Sequence, residues 1–175
     1  MTGIPARAAD IRLAVFDVDG VLTDGGLVLG PEGEEYKVFH VRDGLGLVML
    51  REAGLKVAVI SARSAPVVAE RMAALGIEHI CQGRHDKRAA LLELAERLGV
   101  KPAGIAYVGD DLVDLPAMAV AGLPIAVADA HEKVLEAAQW VTRRTGGRGA
   151  VREVCEMLLE AQGLLEARIE RYRGA

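Results

Sequence analysis

Short apolar runs alternate along this chain with longer segments in which apolar residues recur at helical spacing. The apolar runs contain mainly Val, Ile, Leu and Ala, without a regular polar alternation, which is typical of strands covered on both faces of a sheet. They predict β-strands at 13–16, 56–61, 77–81, 105–109, 123–127 and 140–141. The segments between and after them predict helices at about 43–53, 64–75, 86–98, through Met118, at 130–138 and at 151–159.

Polar residues, proline and glycine mark the ends of two of these helices. Asp43 is predicted to cap the N-terminus of the first helix, which Gly54 would end. Ser64 is predicted to cap the second helix, with Pro66 in its first turn and Gly76 at its end.

The regular alternation of strands and helices predicts a doubly wound α/β fold with a mostly parallel sheet and right-handed crossovers. The length suits a single domain, 1–175, ending in a charged tail at about 163–175. One segment departs from the alternation: two β-prone runs flank a Gly-Pro-Glu-Gly turn and predict a β-hairpin at about 26–41. Because an isolated hairpin is marginal in water, it must pack on something, and another subunit is a candidate.

Composition excludes several classes of protein. Only 3% of the residues are aromatic, too few to stack successive bases, and the net charge of -4 argues against a nucleic-acid partner. The longest apolar stretch, 117–128, is interrupted and too short for a bilayer, and the N-terminus lacks the apolar core of a signal peptide. We therefore expect a soluble cytoplasmic protein, in which the widely separated Cys81 and Cys155 are free thiols.

Reactive side chains follow several of the predicted strands. Asp17 and Asp19 follow the first strand, Ser61 ends the second and Asp110 follows the fourth, while Lys87 opens the helix after the third. The carboxyl ends of parallel strands meet at one edge of a sheet, where ligands bind. The sequence therefore predicts one site built from four loops.

This set of side chains suits phosphoryl transfer from a phosphate monoester to an aspartate, followed by hydrolysis of the acyl phosphate. Asp17 would be the nucleophile, and Asp19 the acid for the leaving alcohol and then the base for water. Mg²⁺ would be held by Asp17, Asp110 and the backbone carbonyl of Asp19. Ser61 and Lys87 would hold phosphoryl oxygens.

Charge counting indicates that one further cation is needed near the phosphate. Asp17, Asp110 and a phosphate dianion carry more negative charge than Mg²⁺ and Lys87 supply. Arg63 and Arg148 are the candidates for this cation. Asp114 is predicted to orient its own loop and to reach the metal only indirectly. The histidines form no cluster and are taken as structural or surface residues: His40, His79, His85 and His131.

The stretch Asp17-Val-Asp19-Gly20-Val resembles the first motif of the haloacid dehalogenase superfamily of phosphatases, Asp-x-Asp-x-(Val/Thr). Ser61, Lys87 and the segment 109–114 stand in the order of the second, third and fourth motifs. More narrowly, five segments are similar to the members that act on an eight-carbon keto-sugar-acid phosphate: 17–25, 41–44, 107–112, 126–131 and 146–155. The likeness runs from about 11 to 163, with one departure: Ala62 stands where these enzymes usually carry glycine, which puts the backbone freedom there in doubt.

The resemblance implies the haloacid dehalogenase fold without a separate cap domain, Mg²⁺ as cofactor, and a role in supplying a lipopolysaccharide precursor. It also implies a homotetramer closed by the hairpins. The chain offers a reason for a partner: about forty residues between Asp19 and Ser61, and about twenty between Lys87 and Asp110, are too few for a lid domain. A neighbouring subunit would then have to exclude water from the site.

Combining motif and chemistry gives three predicted sets of residues. The catalytic set is Asp17, Asp19 and Lys87; the substrate and phosphate set is Ser61, Ala62, Arg63, Lys87 and Arg148; the metal set is Asp17, Asp19 and Asp110. An arginine is expected to grip the substrate carboxylate, and the candidates are Arg63, Arg148, Arg168, Arg171 and Arg173.

Two alternatives remain open. One is a phosphatase of the same build that acts on a nine-carbon keto-sugar-acid 9-phosphate. The other is a phospho-accepting receiver domain, which also has an acidic pocket and a lysine on a doubly wound sheet. Receivers place their acceptor aspartate after a middle strand, whereas here the acidic pair follows the first strand.

Overall fold

Six parallel strands form the central sheet in a computed structural model that describes residues 5–174. The strands lie in the order β5-β4-β1-β6-β7-β8. Their bounds are β1 Leu13–Phe16, β4 Lys56–Ile60, β5 His79–Cys81, β6 Ile105–Gly109, β7 Leu123–Ala126 and β8 Trp140–Val141. The predicted doubly wound parallel sheet is confirmed.

Strand β1 lies in the middle of this sheet, paired with β4 on one side and β6 on the other. Its last residue, Phe16, is in register with Val59 and Val108. From β1 the chain first adds β4 and then β5 on one side. It then crosses over and adds β6, β7 and β8 on the other side. The strand order therefore reverses beside β1, and a ligand crevice is expected outside its carboxyl end.

Helices cover the sheet in two layers, as expected for right-handed crossovers between parallel strands. In one layer α1 packs on α6, and in the other α4 packs on both α3 and α5. The bounds are α1 Val41–Glu52, α2 Pro66–Ala74, α3 Lys87–Leu98, α4 Leu115–Met118, α5 Glu132–Ala137, α6 Ala150–Ala161 and α7 Leu165–Glu170. Short 3-10 turns add Ala6–Asp10, Pro102–Gly104 and Leu112–Asp114.

The core is almost entirely aliphatic and is centred on β1, β6 and β7, in which every residue is buried. Phe16 and Tyr107 are the largest side chains buried there. Burying a side chain such as Phe16 contributes about 1.5 to 3 kcal/mol. The strands that precede Asp17 and Asp110 are thus held in a well-packed interior, which fixes the backbone positions from which the two carboxylates extend.

The predicted hairpin is present as strands β2, Val28–Leu29, and β3, Glu35–Tyr36. They pair antiparallel and form a two-stranded sheet of their own, separate from the main sheet. Apolar side chains on and beside the hairpin are exposed, among them Leu27, Val28, Leu29, Tyr36 and Val38. The hairpin therefore presents an apolar surface that this single chain does not cover.

The prediction that Asp43 caps the first helix is wrong. Helix α1 begins earlier, after His40, and Asp43 is buried within its first turn. The Asp43 carboxylate accepts hydrogen bonds from the backbone N–H groups of Gly149 (3.2 Å) and Arg152 (2.8 Å), at the start of α6. Asp43 thus satisfies free N–H groups of a different helix, and ties α1 to α6 across more than half of the chain.

The prediction that Ser64 caps the second helix is also wrong. Ala65 precedes α2, no side chain caps this helix, and the N–H of Ala65 donates to Gln82 Oε1 at 2.9 Å. Pro66 is the first residue of the helix, as predicted.

Several boundaries differ from those predicted. Strand β5 begins at His79 rather than at 77, and the helix through Met118 has only four residues after a 3-10 turn. The tail, predicted only as a charged segment, contains α7. Among residues 5–174, no helix combines the length and the apolar composition needed to cross a bilayer. The expectation about the first residues of the chain falls in part on 1–4, outside the described residues.

Candidate active site

Asp17 stands immediately after the buried strand β1, where the chain enters an irregular turn, Val18–Leu22. Its side chain is nearly buried, and its N–H donates to the carbonyl of Val108 on the neighbouring strand at 3.0 Å. Gly20 in this turn has φ 93°, and a Cβ there would overlap the carboxylate of Asp110. Only glycine therefore allows the loops after β1 and β6 to approach this closely.

Three carboxylates meet between these two loops. Oxygen atoms of Asp17, Asp110 and Asp114 all lie within 4.8 Å of one another. Such a cluster costs electrostatic energy unless cations balance it. The predicted partners Asp17 and Asp110 are both in it, whereas the Asp19 side chain is not.

The oxygen atoms of Asp114 are fully used within the protein. Its Oδ1 accepts from the Tyr107 hydroxyl and from Lys87 Nζ, each at 2.7 Å. Its Oδ2 accepts from the backbone N–H groups of Asp110 (3.0 Å) and Asp111 (3.3 Å). Asp114 therefore holds the loop after β6 in place.

The carboxylates of Asp17 and Asp110 fit a magnesium ion. Asp110 Oδ1 is buried and has no hydrogen-bond partner among residues 5–174, which is costly for a carboxylate oxygen unless a cation takes that place. Carboxylate oxygens are the ligands that Mg²⁺ prefers, and it usually takes one or two of them together with substrate oxygens and water.

Lys87 supplies a buried positive charge beside this cluster. Its Nζ lies 2.9 Å from Asp17 Oδ2 and 2.7 Å from Asp114 Oδ1, and its side chain is 1% exposed. Lys87 is the first residue of α3, whose N-terminus Asp86 caps by accepting from the N–H of Ala89 at 2.9 Å. The cap holds the start of α3, and hence the lysine, over the edge of the sheet.

Burial and mutual repulsion change the pKa values in the cluster. Burial raises the pKa of Asp17 to about 7, with a further contribution from Asp114 and an opposing one from Lys87. Burial and repulsion from Asp17 and Asp114 raise the pKa of Asp110 to about 8. Burial lowers the pKa of Lys87, but the attraction of Asp17 and Asp114 outweighs it and the net shift is upward, so the lysine stays charged.

These shifts predict how the stability of the metal-free protein depends on pH. An aspartate whose pKa is raised on folding stabilises the protein fully below its unfolded pKa, near 3.8, and this contribution is lost as pH rises through the folded value. Between about pH 4 and pH 8, Asp17 and Asp110 should therefore lower the free energy of unfolding as pH increases. Mg²⁺ competes with their protons, so the rise in melting temperature on adding Mg²⁺ should be larger at pH 8.5 than at pH 5.5. Thermal denaturation with and without Mg²⁺ at both pH values measures this, and an equal rise at the two pH values would contradict it.

The Asp19 side chain lies in a second cluster of charged groups, which the hairpin supplies in part. Lys37 Nζ pairs with Asp19 Oδ1 and lies 2.6 Å from Glu35 Oε1. Arg63 NH2 lies 2.6 Å from Glu35 Oε2, and Arg63 Nε lies 3.9 Å from Asp19 Oδ2. Lys37 was not predicted from the sequence to lie in the site. The sequence could have indicated that Lys37 pairs with Glu35, because the two residues are two apart in a strand-forming segment and therefore lie on the same face of the strand.

Ser61 is buried immediately after β4, and its Oγ accepts from the N–H of Arg63 at 3.2 Å. Its carbonyl accepts from the N–H of Arg84 at 3.0 Å, which closes the loop around it. Among the described residues only glycines have a positive φ, so Ala62 needs no left-handed backbone. Alanine in place of the usual glycine therefore strains nothing in this loop.

Arg148 is the other candidate for the additional cation, and it pairs with Asp24 at 3.0 Å on the exposed side of the nucleophile loop. Two residues earlier, Gly146 lies against the backbone of Gly20, and a side chain there would overlap the carbonyl of Gly20. The N–H of Gly147 donates to the carbonyl of Val21 at 2.9 Å. The glycine-rich segment thus supports the loop that carries Asp17.

Two of the three tail arginines make surface contacts within this chain. Arg171 lies 3.3 Å from Glu52, and Arg173 pairs with Glu170. A separate cavity of about 430 Å³ beside the start of α6 is also rich in arginine. Two of its arginines, Arg143 and Arg152, are paired with the glutamates of the same cavity.

Known phosphatases are similar to this chain in sequence and in fold. A family model described as haloacid dehalogenase-like hydrolase matches residues 75–154. The 3-deoxy-D-manno-octulosonate 8-phosphate phosphatase KdsC of Escherichia coli K12 is 51% identical over 161 residues, which cover 92% of this chain and 86% of that protein. The Moraxella catarrhalis phosphatase of the same name, solved with magnesium, phosphate and KDO, has a TM-score of 0.93 and 44% identity, covering 95% of each chain. The cobalt-bound Haemophilus influenzae phosphatase has a TM-score of 0.90 and 45% identity, covering 92% of this chain and 94% of that one.

Proposed function

This chain belongs to the 3-deoxy-D-manno-octulosonate 8-phosphate phosphatases, within the haloacid dehalogenase-like hydrolases, and we propose that Asp17 and Asp19 carry out the two steps of its reaction. The protein is a phosphoric monoester hydrolase, it releases the free sugar acid and phosphate, and Mg²⁺ is its cofactor. The observation that best supports the roles of its residues is the Asp17, Lys87 and Asp110 cluster at the end of β1.

In the first step Asp17 attacks the phosphorus atom. An oxygen of Asp17 forms a bond to phosphorus as the bond from phosphorus to the sugar oxygen breaks, and Asp19 gives that oxygen a proton. Lys87 neutralises charge beside Asp17 and donates to a phosphoryl oxygen, while Ser61 holds a second one. The products of this step are the sugar acid and an aspartyl phosphate at Asp17.

In the second step Asp19 takes a proton from water, whose oxygen attacks the phosphorus of the aspartyl phosphate. The bond between phosphorus and Asp17 breaks, its electron pair returns to the carboxylate, and phosphate leaves. Asp17, Asp110 and the backbone carbonyl of Asp19 would hold Mg²⁺, which would supply charge stabilisation for the phosphoryl oxygens. Asp114 contributes by fixing the loop of Asp110.

A panel of phosphate esters tests the substrate and distinguishes an eight-carbon 8-phosphate from a nine-carbon 9-phosphate. We expect kcat/KM for 3-deoxy-D-manno-octulosonate 8-phosphate to exceed that for simple hexose phosphates by roughly tenfold to a hundredfold, because a carboxylate that an arginine grips adds binding energy. Phosphate release with Mg²⁺, and with EDTA as the inactive control, measures it. Equal rates across the panel would indicate a general phosphatase. A higher kcat/KM for a nine-carbon 9-phosphate would identify that ester as the substrate instead.

We also propose that the hairpin closes a homotetramer. The exposed apolar side chains of Leu27, Val28, Leu29 and Val38 form a patch of the kind that usually marks an interaction surface. Light scattering should report four chains at micromolar concentration, and Leu29→Asp should dissociate them because it places a charge in the interface. Leu92→Asp, at an exposed leucine of α3, is the matched control and should leave the assembly intact. A wild-type monomer would contradict the proposal. The cytoplasmic location stays a prediction from the sequence.

A further inference from the structure

We propose that Lys37 of the hairpin is a positioning residue that anchors one oxygen of Asp19, so that the other oxygen carries the proton in both chemical steps. This inference rests on the proposed function, since it assigns a role to a side chain next to the proposed acid and base. Lys37 was not among the site residues expected from the sequence, and none of the proposed steps uses it.

The contacts of Asp19 distinguish its two oxygen atoms. Lys37 Nζ donates to Oδ1, whereas Arg63 Nε lies 3.9 Å from Oδ2, beyond hydrogen-bond distance. A protonated carboxyl group keeps one oxygen that can accept a hydrogen bond while the other donates. Lys37 can therefore hold Oδ1 in either protonation state of Asp19, and Oδ2 is free to face the leaving oxygen.

Lys37 is itself held firmly. Its side chain is 1% exposed, although the surrounding hairpin is largely open to solvent. Glu35 contacts Lys37 on one oxygen and Arg63 on the other, each at 2.6 Å. A buried, paired ammonium group with few alternative positions fixes its partner better than an exposed lysine does, because less conformational freedom is left to either side chain.

The carboxylates around Lys37 keep it charged rather than neutral. Burial alone lowers its pKa, but the hydrogen bonds and charges of Asp19 and Glu35 outweigh it, and the net pKa shift is upward. When Asp19 is protonated, Lys37 and Arg63 carry one positive charge more than Glu35 balances, which is the further positive charge needed near the phosphate. The hairpin thus contributes a functional residue to the active site of its own chain.

If Lys37 positions Asp19, its loss should affect the two chemical steps differently for two kinds of substrate. A sugar alcohol is a poor leaving group and needs the proton of Asp19, whereas nitrophenolate leaves without one. Displacing Asp19 should therefore slow the first step for the sugar phosphate, but not for p-nitrophenyl phosphate. Hydrolysis of the aspartyl phosphate, which needs Asp19 as base, should be slow with both substrates.

The experiment is rapid-mixing kinetics on the magnesium-loaded full chain carrying Lys37→Met. With p-nitrophenyl phosphate we expect a burst of one nitrophenolate per active site, at a rate within about threefold of wild type, followed by steady turnover slowed roughly thirtyfold to a hundredfold. With the sugar phosphate the same variant should show no burst and a similar loss in kcat, with KM changed by less than about threefold. Asp19→Asn should give the same pattern, Lys37→Arg should restore most of the rate, and Lys133→Met, at an exposed lysine paired with Glu136, is the control.

Three outcomes would overturn the inference. Wild-type rates in Lys37→Met, with Asp19→Asn impaired, would show that Asp19 needs no anchor. An equal loss of the nitrophenolate burst and of steady turnover would indicate a general structural defect. If Lys37→Met does not fold, Glu35→Gln, which keeps the lysine but removes one of the two carboxylates that hold its ammonium group, should show the same pattern at about a tenth of the size, and wild-type behaviour there would equally overturn the inference. Failure of the proposed function is distinct, since wild type itself would then show no turnover of the sugar phosphate.

Discussion

Replacement of Asp17 by asparagine is expected to reduce phosphate release by roughly a thousandfold or more, because an amide is far too weak a nucleophile to form the acyl phosphate. The same change removes one of the two carboxylates that would hold Mg²⁺, so the dependence of stability on Mg²⁺ should also weaken. Phosphate release over a range of Mg²⁺ concentrations separates the two effects, since saturating metal should restore binding but not turnover.

The fold of the Asp17→Asn variant should be unaffected. Asparagine has nearly the same shape, and it removes a charge that burial and Asp114 disfavour, which offsets the loss of the ion pair with Lys87. Asp10→Asn is a matched control, because it makes the same chemical change on an exposed residue near the other end of β1. Retention of more than a few per cent of the wild-type rate by Asp17→Asn would exclude Asp17 as the nucleophile.

Replacement of Lys87 by methionine is expected to affect both rate and stability. Loss of a preorganised charge beside the phosphoryl group should lower kcat by about a hundredfold or more. Removing one partner of a buried ion pair typically costs about 3 to 5 kcal/mol, and here it would leave Asp17 and Asp114 facing each other without their common counterion. Added Mg²⁺ should recover part of the stability but not the rate, because a metal can replace the charge but not the donor.

Kinetics and chemical denaturation of Lys87→Met, with Lys56→Met as the control, measure these effects. Lys56 is exposed at the start of β4, at the opposite edge of the sheet from the site. Unchanged stability in Lys87→Met would show that the two carboxylates do not depend on it. An unchanged rate would remove Lys87 from the mechanism.

The sequence was sufficient to predict the fold and the grouping of Asp17, Lys87 and Asp110, because both follow from local rules. An uninterrupted apolar run predicts a buried parallel strand, and a parallel sheet brings the ends of its strands to one edge. The residue that follows such a run is therefore placed without knowledge of any side-chain contact.

Contacts between distant segments could not be predicted in this way. Asp43 has the residue type and spacing of an N-cap for its own helix, but it caps α6, more than a hundred residues away. Lys37 looks like an ordinary hairpin lysine until the hairpin folds back on the loop of Asp19. In both cases the partner is chosen by tertiary packing, which a local pattern does not contain.

The position of β1 in the middle of the sheet has a consequence for biosynthesis. Strand β1, which precedes Asp17, is the first of the six described sheet strands to be synthesised, yet its neighbour β6 and the glycine-rich segment at Gly146 that supports its loop are made much later. Pairing across such sequence separations is slow, since the loop between the strands must close first. In a nascent chain whose Gly146 is still inside the ribosome, the loop that carries Asp17 therefore lacks the contacts that support it. Phosphatase activity should therefore appear only after the segment around Gly146 has been synthesised.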